Sequence, residues 1–407
     1  MNKEKPTKEE LEIIRKIFDT VVGEYEANSR IIFKNESERA RREFGSVHRS
    51  LKNWSTARRC MVPTCHNLSI GRSHTIPKGM ALTVISENSH VLVPDFSHKT
   101  NTLRLKKTGI SEATTFPGFC TDHELLFKDF ESKKIIDTEA HVYLQTYRTA
   151  CRELFRLNFV IEQFDWTVNE YRQAREEGLL RILRERIKQH RSAIDLGFAS
   201  MRFQNDPLTD QASKRVKSIR EQAAHLENLL LPSIEKAVFP KDDSEIYIMA
   251  TEVDIMIPVA LAGSASFFVE ENGIERNVPL LMCVVPQPEK TLIIFCSHSS
   301  NFKQVNEYVA YWTKHALLIL SMIESWMING TDQWCITPSV WNKIPESRRL
   351  ALLNLLLNTK NNIGQQCELS IFDDIRKDLI NQTDAFNAKD ITSASKIFIM
   401  SEQKKME

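Results

Sequence analysis

Two close pairs of side chains carry soft-metal ligand chemistry in this sequence. Cys60 and Cys65 flank Met61-Val62-Pro63-Thr64, a short segment that Pro63 predisposes to turn. Cys120 and His123 follow Phe116-Pro117-Gly118 at Cys-x-x-His spacing, so the first turn of a helix would bring both towards one point. Zinc takes about four thiolate or imidazole ligands in a tetrahedron, commonly as two pairs from separate segments. His66, His74 and His90 compete for the same places. A knuckle, a hairpin and a helix bearing the second pair describe a treble-clef finger, and that topology favours Cys60, Cys65, Cys120 and His123, leaving His74 free.

The elements that must position these groups are read from apolar periodicity. Between the two pairs, Ala81–Ile85, His90–Val93 and Leu103–Leu105 read as strands, with Ser86-Glu87-Asn88-Ser89 turning the first into the second. Leu125, Leu126, Phe127 and Phe130 would be the buried face of the ligand helix. Residues 1–57 are expected to be helical: Leu11, Ile14, Ile17, Phe18 and Val21 recur at helical spacing, and Thr7 to Glu10 resembles a capped start. Residues 132–240 read as an antiparallel helical arm broken at Asn205-Asp206-Pro207-Leu208-Thr209-Asp210, its expected work spacing or homodimerisation. Residues 241–383 change period, with strand runs at 246–249, 255–261, 265–269, 280–285 and 292–296, a hairpin signal at Asn272-Gly273, and covering helices over 305–327 and 346–357. The tail, 384–407, is polar. The whole is an α+β protein: a helical N-terminus, a zinc module over 58–131, a long helical arm, and a C-terminal antiparallel sheet with covering helices.

The totals bound the function classes. At 407 residues more than one core is expected, and 42% hydrophobic with 26% charged residues is a globular composition. A net charge of +1 gives no bulk field for nucleic acid or an anionic membrane, so such a partner must be met by a local patch. One candidate is the basic flank 39–59, with Arg39, Arg41, Arg42, Arg49, Lys52, Arg58 and Arg59. The eight cysteines are scattered, unlike a secreted disulfide framework. No apolar run of about 20 residues and no apolar leader is seen, so no membrane partner and a cytoplasmic location are expected.

With these residues in view, 58–131 resembles the zinc-bearing HNH endonucleases of the ββα-metal kind. Cys60 and Cys65 match that family's first Cys pair, Ser73-His74-Thr75-Ile76-Pro77 resembles its His segment, and Cys120 and His123 match its second pair. Ser73 stands where the family has an acid, and Glu124 where it has a metal-ligating His. The segment also resembles uncharacterised bacterial proteins. The resemblance implies a structural Zn2+, His74 as general base, and Glu124 helping to hold a catalytic Mg2+ or Mn2+. It implies hydrolysis of DNA or RNA phosphodiesters, in a setting such as bacterial phage defence. The competing expectation is a non-catalytic zinc-finger protein that binds or senses a partner and dimerises through its arm.

Overall fold

The computed structural model describes residues 7–35, 37–38, 53–97, 102–189, 207–239, 245–357, 362–387 and 393–407. Helix α1 (Lys8–Ala27) begins at a capping box in which Thr7 and Glu10 exchange hydrogen bonds. A two-stranded pair, β1 (Ser73–His74) and β4 (Thr115–Phe116), encloses the hairpin β2 (His90–Ser97) and β3 (Thr102–Gly109). Short helices α2 (Thr121–Glu124) and α3 (Lys128–Lys133) follow. The helix α4 (Glu139–Gln189) then runs unbroken for 51 residues, its sequence free of proline. Helices α5 (Pro207–His225) and α6 (Leu231–Val238) lead into β5 (Ile246–Val253), β6 (Val259–Glu271), β7 (Ile274–Pro286) and β8 (Thr291–His298).

One antiparallel sheet of seven strands, in the order β3-β2-β9-β6-β7-β8-β5, organises most of the chain, with β9 at Trp334–Ile336. The β6–β7 hairpin turns on Asn272 and Gly273, both at positive φ (55° and 75°), as a type I′ turn requires. One face carries α7 (Phe302–Trp312) and α8 (Ala316–Ser325), with Val309, Trp312, Leu320, Ile323 and Trp326 packed on Leu280, Met282 and Phe295. Helices α9 (Pro338–Lys343), α10 (Glu346–Leu357), α11 (Asp373–Asn387) and α12 (Ser393–Lys404) complete that layer.

By internal packing the chain divides into two units. The first comprises 1–54 and 157–223, the second 55–156 and 224–407, so α4 belongs to the second up to Arg156 and to the first beyond it. The first unit has its own small core of Ile17, Val21, Ile32, Leu179, Leu183 and Ile187. Gly178 permits that packing: a Cβ there would lie 2.4 Å from the Ile32 carbonyl oxygen.

The mixed helix-and-sheet architecture is the expected one, but several elements differ. Ala81–Ile85 is helical, continuing a wide turn over Lys78–Leu82, because Met80, Ala81, Leu82 and Ile85 bury one helical face. The hairpin is instead β2 with β3. The expected runs 255–261 and 265–269 give one strand, β6, that begins only at Val259, and 255–258 is not strand. The apolar stretch 305–327 is two helices, broken where His315, at φ −152°, caps α8 by accepting from the Leu317 amide. Residues 190–206, with Asn205 and Asp206 of the anticipated break, and 39–52, most of the basic flank, lie outside the described residues; the rest of that break, 207–210, is the helical start of α5.

Candidate metal centre

The first ligand pair sits on a knuckle made by the backbone. Cys60 donates its amide to the Asn67 carbonyl (2.9 Å) and Cys65 donates to that of Val62 (3.1 Å), while Thr64 takes a left-handed φ of 64° to close the turn. Arg59 locks the knuckle from outside, with Nε donating to the Cys65 carbonyl at 2.9 Å and Nη2 3.0 Å from His66 Nδ1. Two further bonds lash it to the second pair: Met61 N–H to Gly118 O (2.9 Å) and Ile70 N–H to Phe119 O (2.7 Å). Gly118 is required there, since a Cβ would stand 2.4 Å from the Phe116 ring. Cys120 caps α2, and the Glu124 amide returns to its carbonyl at 3.0 Å.

The four donor atoms of Cys60, Cys65, Cys120 and His123 lie within 4.8 Å of one another. Cys60 Sγ is 3.4 Å and Cys120 Sγ 3.3 Å from His123 Nδ1, and Cys65 Sγ is 4.0 Å from Cys120 Sγ. A tetrahedron with zinc-length bonds has edges of about 3.8 Å between sulfurs and about 3.6 Å between sulfur and nitrogen. The donor set fits, and these four side chains could hold a metal ion such as zinc. No other such cluster occurs among the described residues. Burial pushes the Cys60 thiol up to about 11. At Cys120 burial also opposes ionisation, but the His123 and Asp122 amides and the neighbouring thiols hold it below its ordinary value.

The competing histidines are engaged elsewhere. His66 meets Arg59, and His90 Nδ1 lies 2.6 Å from the Asn88 carbonyl. His74, on β1, is half-buried and has Nε2 3.0 Å from the Ile110 carbonyl. A carbonyl can only accept, so Nε2 carries the proton and Nδ1 the lone pair. Burial lowers the His74 pKa, only partly offset by the Ile110 carbonyl. Ser73 is fully buried and its hydroxyl accepts from the Phe119 amide at 3.1 Å.

Glu124, one residue after His123, is half-buried with Oε1 buried and without a hydrogen-bond partner. Burial raises its pKa, against the Ser73 hydroxyl and Arg148. It lines a pocket of about 350 Å³ with Leu125, Lys128, Glu131 and Ser132. Arg148, on α4, influences the charge of both His74 and Glu124. Neither Arg148 nor Glu131 stood out in the sequence, where each is one charged residue in a charged helix. Of the basic flank's described members, Arg58 lies 5.4 Å from the centre of the Phe155 ring and Arg59 belongs to the knuckle. No helix among the described residues is long and apolar enough to cross a membrane. Comparison with protein-family profiles, curated proteins and solved structures gave no match.

Proposed function

We propose that Cys60, Cys65, Cys120 and His123 hold a structural zinc ion in a treble-clef-like module, and that this module carries an HNH-like endonuclease site with His74 as its base. The observation that supports the reading is the state of His74. The Ile110 carbonyl fixes the proton on Nε2, which leaves Nδ1 as the basic atom, and the lowered pKa keeps the ring neutral near pH 7, as a general base must be. In that role Nδ1 takes a proton from water as the water oxygen bonds to phosphorus and the leaving P–O bond breaks. Glu124, with one carboxylate oxygen unpartnered, would hold the Mg2+ or Mn2+ that stabilises the leaving oxygen.

The test uses the full chain loaded with zinc, incubated with DNA and with RNA in Mg2+ or Mn2+. His74→Ala should abolish cleavage while leaving zinc content unchanged. Undiminished cleavage by that variant sinks the proposal. A second reading, a non-catalytic zinc-finger protein that binds nucleic acid or another partner and dimerises through its arm, is favoured by Ser73. That residue spends its hydroxyl on the fold where the HNH pattern has an acidic ligand. Nucleic-acid binding with no products in either metal would select it.

A further inference from the structure

The seven-stranded sheet ends in β3 on one side and β5 on the other, and the two edges are built differently. β3 carries Arg104, Lys106 and Lys107, all exposed, so a second strand laid against it would crowd or bury cations. β5 reads Ile246-Tyr247-Ile248-Met249-Ala250-Thr251-Glu252-Val253, with no lysine, arginine, proline or bulge along its register on β8. Its backbone shows which groups face outwards. The Ser299 amide donates to the Glu245 carbonyl at 2.9 Å, so these two form a hydrogen-bonded pair, and antiparallel alternation turns Tyr247, Met249 and Thr251 towards β8 as well. The amides and carbonyls of Ile246, Ile248, Ala250 and Glu252 therefore point away from the sheet, and among the described residues no hydrogen bond reaches them.

An unpaired edge of this kind is a template for another strand, and pairing gives each of those groups a partner. The strand that suits it is a second copy of β5. An antiparallel two-fold centred on Met249 sets Ile248 opposite Ala250 and Ile246 opposite Glu252, all of them outward-facing residues, so the two edges exchange bonds in register. No charge meets a like charge, because Glu252, already paired with Lys290 at 2.6 Å, comes opposite Ile246. Phe302 adds apolar surface beside the strand: it is 54% exposed and stands edge-on to Tyr247, with ring centres 4.9 Å apart. The cations of β3 matter too, because one open edge per chain closes a dimer whereas two would build a fibre. We propose that the chain forms a two-fold dimer through β5, joining the sheets of two copies into one continuous sheet across Met249.

The test measures the mass of the full chain in solution by sedimentation over a dilution series. Wild type should be a dimer that dissociates to monomer on dilution. Ala250→Pro removes an outward amide without touching the β8 ladder and, by symmetry, does so in both copies, so the dissociation constant should rise about tenfold or more. Met249→Cys should give a disulfide-linked dimer on mild oxidation, since the two-fold brings both copies of that residue together in a non-hydrogen-bonded pair. Thr251→Cys, which comes opposite Tyr247, should not. The cross-linking reads the register directly and decides the matter if Ala250→Pro does not fold. A monomeric wild type, or cross-linking by Thr251→Cys in place of Met249→Cys, overturns the proposal. So does a dimer as tight in Ala250→Pro as in wild type, which would assign dimerisation to another surface such as the helical arm.

Discussion

Replacing Cys120 by Ser is the sharpest perturbation of the metal centre. Cys120 is 3% exposed, its Sγ lies 3.3 Å from His123 Nδ1 and 4.0 Å from Cys65 Sγ, and its amide points at Cys60 Sγ at 3.4 Å. It therefore borders each of the other three donors. A serine hydroxyl keeps the cap position but is a hard, protonated oxygen that zinc binds poorly. Structural zinc contributes about 10–16 kcal/mol at pH 7, or about 2.5–4 kcal/mol per ligand if shared evenly over four. Losing one ligand should weaken zinc binding by a factor of about 70–900. The assay is competition against a chromophoric chelator, with metal content measured by mass spectrometry after dialysis. The control is Cys335→Ala, which empties a fully buried position on β9 outside the donor cluster and should keep one zinc per chain. Wild-type zinc affinity in Cys120→Ser, or equal zinc loss in Cys335→Ala, refutes the tetrahedral assignment.

Two further predictions concern buried charge in the second unit. Arg376 is fully buried, donating to Glu324 Oε2 at 2.6 Å and ion-paired with Glu402, whose other oxygen lies 2.7 Å from Lys405 Nζ. Arg376→Met leaves two buried carboxylates with one cation and should cost about 3–5 kcal/mol, read as a thermal midpoint lowered by about 10 °C; a change of a degree or two contradicts it. Glu153 is also fully buried; burial alone would raise its pKa, but Arg156, Arg152 and the Ser264 hydroxyl bring it down from 4.5 to about 2. A depressed carboxyl stabilises the fold above its unfolded pKa, so this contribution is complete above about pH 4.5 and lost as pH falls towards about 2. Thermal unfolding of wild type should therefore steepen its fall across that window, and Glu153→Gln should flatten it at the expense of stability at neutral pH. Parallel curves for the two proteins would contradict the sign.

What could be read before any coordinates was set by locality. Cys60, Cys65, Cys120 and His123 announced themselves because each pair is close in sequence and each type has one plausible chemistry. The Asn272-Gly273 turn was legible because positive φ at both positions selects those residues. Residues 81–85 were misread because a short buried apolar run suits a strand or a helix equally, and packing of Met80, Leu82 and Ile85 decides it. That β9, three residues long, sits between β6 and β2 takes a pairing with β2 across more than two hundred residues, which no local pattern records. Arg148 and Glu131 were invisible for the same reason. Their pairing joins α4 to α3 at a contact that the sequence pattern does not mark.

The first turns of α4 explain how these groups keep their places. Gln145 Nε2 donates to the Thr75 carbonyl at 3.0 Å, holding the segment that carries His74. Tyr147 Oη donates to the Met61 carbonyl at 3.2 Å, holding the knuckle. Arg148 grips Glu131 on α3. Three nearby positions on one rigid helix thus reach three separate pieces of the module, at spacings the helix geometry fixes. A metal ion would close the knuckle onto Cys120 and His123, but the position of His74 depends on Gln145, on Ile110 and on the β1–β4 pairing, none of which includes a metal ligand. The contacts that place His74 thus involve none of the four donor side chains, so zinc content is expected to survive His74→Ala.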